Sequence, residues 1–251
     1  VDDSDEKTVT VAEVSSFQLE WIDSFRPDVA VLLNLTPDHL DRHDSFEDYC
    51  HAKLRIFENQ TESDVAVLNA DDPVLARQSL DQTRVCWFSR TRSLGAGASL
   101  SGAQIIFRDD RGETVLLERG DIGLRGEHNV ENVLAAASAA WLIGAPAVSI
   151  AAGVRSFPGV EHRIEFVADI GGVQFFNDSK ATNVDATLKA LDAFAGGLFV
   201  ILGGKDKGSD YTPLIEPLRK RARLVMLIGA AAEKIEAQIG GSVTTVRAGT
   251  L

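Results

Sequence analysis

Three polar side chains in the first quarter of the chain could bind a divalent cation. Glu13 lies within an otherwise apolar run, and His39 lies in residues 34–43, NLTPDHLDRH, directly after a second apolar run. Carboxylate oxygen is the ligand that Mg²⁺ prefers, and histidine can also coordinate a metal or orient a phosphate. Lys53 follows on a predicted helix, where its position alone indicates an ordinary solvated lysine. The pattern predicts a metal or phosphate site, with a polar loop capped by Asp38 as the alternative.

A second group of polar residues follows predicted strands in the second half of the chain. Residues 177–183, NDSKATN, stand between a strand and a helix, and residues 203–207, GGKDK, follow the next strand. Backbone N–H groups at a helix start attract anions, and Lys180 adds positive charge. Asp178 could hydrogen-bond a ribose or hold metal-bound water. We therefore expect an anion-binding corner here, although neither segment is a P-loop and none occurs in the 251 residues.

Two asparagines mark the start of an Ala-rich helix predicted over residues 129–143. Asn129 and Asn132 are three residues apart, so they share one face of that helix. An asparagine at a helix start is a common N-cap, which explains Asn129 but not Asn132. Asn132 is therefore a candidate binding residue.

The strands and helices that must position these residues follow an α/β pattern. Since the ends of parallel strands lie side by side, we expect Glu13 and His39 to point into one crevice. Ser45 is the predicted N-cap of a helix. For the first domain the sequence predicts strands over 8–14, 28–35 and 65–69, a helix or turn over 15–25, antiparallel hairpins over 84–118, and helices over 45–59, 129–143 and 148–156.

The best candidate for a domain boundary is the breaker sequence Phe157-Pro158-Gly159, which divides the chain into domains 1–158 and 159–251. Beyond it the strand–helix alternation begins again. The predicted strands cover residues 164–169, 173–177, 198–202 and 224–228, and the predicted helices cover 183–193, 212–221 and 231–239. This pattern indicates a second α/β domain with a Rossmann-like sheet.

Composition excludes two classes of partner. The net charge is −12 without a cluster of Lys or Arg, so nucleic acid is a poor candidate. No run approaches the roughly 18 apolar residues of a membrane-spanning helix. Cys50 and Cys86 are isolated, as expected for reduced thiols in a cytoplasmic protein. Both ends interrupt apparent structure, so we expect a piece of a longer chain.

Taken in order, these segments resemble the Mur ligase family. Residues 34–43 are shared with folylpolyglutamate-type ligases, whereas NDSKATN at 177–183 is more selective and favours the members that add D-glutamate. The resemblance implies a central ATPase domain without its P-loop strand and helix, built on a mostly parallel sheet with added β-hairpins. It also implies a partial Rossmann-like C-terminal domain.

The resemblance assigns roles residue by residue. Glu13 and His39 match magnesium ligands, and Lys53 matches a lysine whose carbamate binds a second Mg²⁺, which reverses its interpretation as a surface lysine. The other matches are Asn129 and Asn132 near the adenine, Arg163 and Asp178 at the nucleotide, and Lys180, Thr182 and Lys207 around the γ-phosphate and D-glutamate.

The implied activity is an ATP-dependent amide ligation in peptidoglycan precursor synthesis. ATP would convert the carboxylate of UDP-N-acetylmuramoyl-L-alanine to an acyl phosphate, which the amine of D-glutamate attacks. We expect a cytoplasmic monomer that acts on small molecules. The alternatives are another Mur or folylpolyglutamate-type ligase, and a fragment that binds nucleotide without catalysis.

Overall fold

The structure, a computed structural model, describes residues 5, 8–39, 42–206 and 208–249. The first half is built on a six-stranded sheet in the order β1 to β6. Strands β1 to β4 pair in parallel, and β4, β5 and β6 pair antiparallel. The strands are β1 (Val29–Leu32), β2 (Val65–Asn69), β3 (Arg84–Ser89), β4 (Gly97–Ser101), β5 (Gln104–Asp109) and β6 (Gly112–Glu118).

Helices cover both faces of this sheet. They are α1 (Ser16–Leu19), α2 (Phe46–Leu54), α3 (Glu127–Leu142) and α4 (Ala147–Ser156), with 3-10 turns at Arg55–Phe57, Leu75–Arg77 and Arg119–Asp121. All five residues of β2 are buried, because Val65 and Val67 pack in the core beneath α3 whereas Ala66 and Leu68 pack in the core beneath α2. The predicted strand over residues 65–69 is therefore confirmed, and its unbroken apolar run has a physical reason.

The second half contains a two-stranded antiparallel hairpin and a three-stranded parallel sheet in the order β11-β10-β9. Its elements are β7 (Glu165–Ile170), β8 (Val173–Asn177), α5 (Val184–Asp192), β9 (Leu198–Gly203), a 3-10 turn (Thr212–Leu214), α6 (Ile215–Arg221), β10 (Ala222–Ile228), α7 (Ala232–Ile239) and β11 (Thr245–Gly249). Val225 and Leu227 face a core that α6 and α7 cover. On the opposite face, Phe199 and Ile201 of β9 are 61% and 54% exposed. The α/β class predicted from the sequence is confirmed.

The strand predicted over residues 8–14 is wrong. No described residue forms a ladder with this segment, and Val9 and Val11 are 61% and 93% exposed. An apolar run becomes a strand only where neighbouring backbone groups complete its hydrogen bonds, and here the described part of the chain offers no such neighbour.

The prediction of antiparallel hairpins over 84–118 is wrong at its start, because β3 pairs in parallel with both β2 and β4. Strand β4 was not predicted, since its sequence GASLS has the small residues of a turn. Gly97 has φ 101°, and a Cβ there would lie 2.0 Å from the Trp87 carbonyl oxygen. This glycine allows β4 to approach β3.

None of the helices in the described ranges has the length and apolar character needed to cross a membrane.

Candidate active site

A polar cavity of about 370 Å³ opens between α1, the loop that follows β1, and α2. Glu13, His39 and Lys53, the three residues singled out from the sequence, all line it, together with Asp38 and Tyr49. The cavity therefore gathers two carboxylates, an imidazole and an amine from three separate segments. Such a set of groups can bind a cation and the phosphate that accompanies it.

Glu13 reaches the cavity by a different route from the one predicted. It does not end a strand but precedes Ser15, the N-cap of α1. The Ser15 hydroxyl accepts a hydrogen bond from the Gln18 backbone N–H at 3.3 Å, and the Gln18 side chain accepts one from the Ser15 N–H at 2.8 Å. This capping box fixes the entry into α1, and hence the place where Glu13 stands.

His39 occupies an unusual backbone conformation in the loop after β1. Its φ is 54°, in the left-handed region that residues with a side chain rarely adopt. Its backbone N–H donates to Oδ1 of Asp38 at 2.8 Å, and its ring packs at 72° to the ring of Phe17 with centroids 5.0 Å apart. The loop begins at a buried bond from the Leu35 N–H to Asp72. These contacts hold the imidazole toward the cavity.

Lys53 lies on α2, whose predicted N-cap Ser45 is confirmed by a 3.1 Å bond from the Asp48 N–H to the Ser45 hydroxyl. Its Nζ is 5.8 Å from the centroid of the Tyr49 ring, one helical turn earlier. Burial lowers the pKa of Lys53, while the negative charges of Glu13 and Asp38 raise it and offset part of that effect. Burial dominates, so a larger fraction of this amine is neutral than on an exposed lysine.

The groups in the cavity fit a magnesium ion only in part. Within the described ranges, no group of three or more His, Cys, Asp or Glu side chains forms a ready metal site. Glu13 supplies the oxygen that Mg²⁺ prefers, and His39 supplies nitrogen. A protonated Lys53 cannot be a ligand, whereas a carbamate on its nitrogen would add a carboxylate-like oxygen pair. An unmodified Lys53 therefore leaves the donor set incomplete.

The predicted anion-binding segment lies beside the cavity without lining it. Lys180 and Thr182 are exposed. Asn183, the last residue of the same motif, donates from Nδ2 to Oδ2 of Asp38 at 2.8 Å. This bond brings the start of α5 next to the cavity wall. Lys207, the other predicted lysine, lies outside the described residues.

Asp178 and Arg163 do not line the cavity. The Asp178 carboxylate accepts a hydrogen bond from the backbone N–H of Ile164 at 3.0 Å, and burial raises its pKa despite that bond and the nearby charge of Arg163. The position of Asp178 thus fixes the backbone just before β7. Arg163 itself is exposed.

Asn129 and Asn132 also lie away from the cavity, on the first two turns of α3. Their side chains contact each other, since Asn132 Nδ2 donates to Asn129 Oδ1 at 3.1 Å. Asn129 is not the N-cap, which corrects the interpretation from sequence: α3 begins at Glu127 and Gly126 occupies the cap. Instead, Asn129 Nδ2 donates to the Arg125 carbonyl at 2.6 Å. The two side chains therefore bond to each other and to the backbone, and Asn129 is buried.

Two residues that matter at this site were not singled out from the sequence. Tyr49 forms part of the cavity wall, and an aromatic position of an amphipathic helix gave no reason to separate it from the core. Asn183 stood in a motif that was recognised, but its partner Asp38 is 145 residues away. The polar end of NDSKATN, next to a predicted helix start, was the only signal available.

Comparison with known proteins identifies both halves of the chain. Residues 2–140 match the family described as Mur ligase middle domain, and residues 162–249 match Mur ligase, glutamate ligase domain. The chain is 53% identical to UDP-N-acetylmuramoylalanine--D-glutamate ligase of Acidobacterium capsulatum and 55% identical to that of Solibacter usitatus. The matches cover 100% and 96% of this chain but 55% and 54% of those proteins. The chain thus spans about half the length of these relatives.

Solved structures show the same fold at lower identity. MurF of Acinetobacter baumannii has a TM-score of 0.69 at 19% identity, over 88% of this chain and 51% of that one. MurF of Thermotoga maritima in complex with ADP has a TM-score of 0.65 at 19% identity, over 90% and 53%. With a parallel sheet, a polar cavity at its edge and matches over both halves, the chain belongs to the Mur ligase family.

Proposed function

We propose that this chain is the catalytic part of an ATP-dependent ligase that joins D-glutamate to UDP-N-acetylmuramoyl-L-alanine. The observation that carries the proposal is the single cavity shared by Glu13, His39 and Lys53. The choice of substrates is supported by relatives of 53% and 55% identity that bear the name of this ligase.

ATP is the proposed source of energy, which the ADP complex of the related Thermotoga maritima MurF supports. Glu13 and His39 would hold one magnesium ion, and carbamylated Lys53 would hold a second. When bound, the two ions would neutralise the charge that develops on the phosphate oxygens during phosphoryl transfer. Asn129, Asn132, Arg163 and Asp178 are proposed to contact the nucleotide.

The state of Lys53 is part of the proposal. A neutral amine can attack carbon dioxide, forming an N–C bond and releasing one proton, whereas an ammonium cannot. The pKa of Lys53 is lowered by burial, which increases the reactive form near neutral pH. The carbamate that results is an anion, and it would lie in the same cavity as the carboxylate of Glu13. Bound cations would offset the repulsion between these two anions.

The side chains of the second half are proposed to act on the reacting groups. Phosphorylation of the alanyl carboxylate gives an acyl phosphate, the D-glutamate amine attacks its carbonyl carbon, and phosphate leaves. Lys180 and Lys207 would stabilise the negative charge on the phosphate, and Thr182 would orient D-glutamate. Because water would hydrolyse the acyl phosphate, the start of α5 beside the cavity would also help to exclude it.

We also propose a cytoplasmic location for the ligase. ATP is available there, and Cys50 and Cys86 are both free and buried, as reduced thiols of such a protein would be.

The proposal is tested with a chimera in which this chain replaces the matching segment of the Acidobacterium capsulatum ligase. ADP release is measured with UDP-N-acetylmuramoyl-L-alanine and one amino acid at a time. We expect turnover with D-glutamate and little with L-glutamate or meso-diaminopimelate. A folded chimera that prefers either of the latter two would refute the proposed substrate.

A further inference from the structure

A side-chain hydrogen bond joins the two halves of the molecule at the edge of the cavity. Asn183 Nδ2, at the start of α5, donates to Oδ2 of Asp38, in the loop after β1, at 2.8 Å. Only 21% of the Asp38 side chain is exposed, and Asn183 is partly buried. The bond therefore forms in a setting where water competes with it less than at an open surface.

The oxygen of the Asn183 side-chain amide is bonded to the first turn of its own helix, α5. Its Oδ1 accepts a hydrogen bond from the Ala186 N–H at 2.8 Å, which makes Asn183 the N-cap of α5. Its backbone oxygen accepts bonds from the N–H and the hydroxyl of Thr187. Since Oδ1 is fixed by the cap, the direction of Nδ2 is fixed as well. The rigid end of α5 thus aims one N–H donor at Asp38.

Both oxygens of the Asp38 carboxylate also accept hydrogen bonds. While Oδ2 accepts from Asn183, Oδ1 accepts from the backbone N–H of His39 at 2.8 Å. His39 has a φ of 54°, a conformation that persists only where surrounding contacts hold it. One carboxylate therefore links the cap of α5 to the strained residue that presents its imidazole to the cavity.

We propose that Asn183 is a positioning residue, which holds the Asp38–His39 turn in its site geometry through the contact between the two halves. The first half then presents His39 correctly only when the second half is docked against it. We call the hydrogen bond between Asn183 and Asp38 the tether. The importance of the Asp38–His39 turn for catalysis rests on the proposed function, whereas the existence of the tether does not.

The side chain at position 183 must both cap α5 and donate a hydrogen bond to Asp38, which restricts the residue types that fit there. Aspartate caps a helix as well as asparagine does, but it would present an oxygen, not an N–H, to the Asp38 carboxylate. Serine also caps, but it is too short to reach. Asn183→Asp and Asn183→Ser therefore remove the tether while keeping α5 capped. In the double variant Asp38→Asn/Asn183→Asp the donor and acceptor are exchanged, which restores the bond.

The tether is tested by pulsed electron paramagnetic resonance on this chain. Spin labels are attached at Asp110→Cys and Glu233→Cys, exposed positions in the two halves, with Cys50 and Cys86 replaced by alanine. A hydrogen bond to a charged acceptor shifts an equilibrium by about tenfold. We expect Asn183→Asp and Asn183→Ser to lower the ratio of docked to undocked molecules by about that factor, and the exchanged pair to restore it.

Asn59→Asp is the matched control, because the Asn59 amide donates to the Asp23 and Phe25 carbonyls within the first half. It should leave the label distances unchanged. Circular dichroism during heating checks that each variant stays folded with α5 intact. Parent-like distances in folded Asn183→Asp and Asn183→Ser would overturn the proposal, as would an exchanged pair no better docked than Asn183→Asp. Since no substrate is present, these results stand apart from the chimera assay.

Discussion

At the scale of single residues, Lys53 and Lys180 show that one residue type can have two kinds of chemistry, depending on how far its side chain is buried. Lys180 is exposed in the middle of the NDSKATN motif, whereas Lys53 is partly buried against Tyr49, and burial lowers its pKa. An exposed ammonium suits the binding of phosphate or carboxylate. A partly neutral amine suits reaction with carbon dioxide.

Replacing Lys53 tests its proposed role directly. In the chimera, Lys53→Ala should lower turnover by about 100-fold or more, because charge stabilisation in the transition state is lost. Added bicarbonate should not restore activity, whereas a short carboxylate such as acetate should restore part of it. Lys220→Ala, on the exposed side of α6, is the control. Unchanged turnover in Lys53→Ala would rule out the carbamate role.

Glu13 should influence the titration of Lys53. Its negative charge raises the lysine pKa, so Glu13→Gln should lower that pKa further below its ordinary value. A carbon NMR titration of the Lys53 side chain measures the change. Glu47→Gln, an exposed substitution on the same helix as Lys53, should leave the titration unaffected. A Lys53 pKa that rises or stays constant in Glu13→Gln would contradict the shared cavity.

At the scale of secondary structure elements, Arg26 and Asp64 connect the segment before β1 to the start of β2. Arg26 donates to both oxygens of Asp64, at 2.7 and 3.0 Å, and the Thr61 N–H adds a third bond. The hydrogen bond from Arg26 is the main cause that lowers the pKa of Asp64, from 3.8 to about 2. The Asp64 side chain is only 3% exposed, which favours a lasting interaction.

This pair predicts a defined dependence of stability on pH. The folded-state pKa is lowered, so the contribution of Asp64 is complete above pH 3.8 and is lost as the pH falls toward about 2. The difference in unfolding free energy between the parent and Asp64→Asn should therefore shrink across that range. Urea unfolding at several pH values measures it, with the exposed Asp110→Asn as control. A difference that stays constant down to pH 2 would contradict the assignment.

The elements show what sequence patterns could and could not predict. Strand β2 was predicted correctly because both of its faces are buried, so its apolar run is unbroken. Helix α2 was recognisable from the Ser45 cap. Strand β4 was missed because small residues and Gly97 resemble a turn, and residues 8–14 form no ladder although their sequence is strand-like. A local sequence pattern indicates the propensity of a segment to form a strand, whereas its pairing depends on strands that are distant in the sequence.

The site was predictable to a similar extent. The motifs brought out Glu13, His39 and Lys53, and the structure places all three in one cavity. Their geometry was not predictable, because Glu13 depends on the cap of α1 and not on a strand end. The contact between Asn183 and Asp38 joins residues 145 apart, and no local pattern encodes such a pair.

At the scale of the whole molecule, the 251 residues should bind nucleotide weakly on their own. They contain no P-loop, so the backbone cradle that usually holds the phosphates is absent from this sequence. We expect a dissociation constant for ATP above about 1 mM. Titration calorimetry of the isolated chain with magnesium and ATP provides the measurement, with the chimera as the positive control. Micromolar affinity would reveal another phosphate cradle among these residues.

The face of β9 that carries Phe199 and Ile201 has a consequence for handling the chain. Parallel sheets are normally covered by helices on both sides, and here two large apolar side chains meet water. Such surfaces adhere to one another, and more so as salt screens the net charge of −12 that keeps molecules apart. Dilute samples at low ionic strength are therefore the conditions under which this chain should stay dispersed.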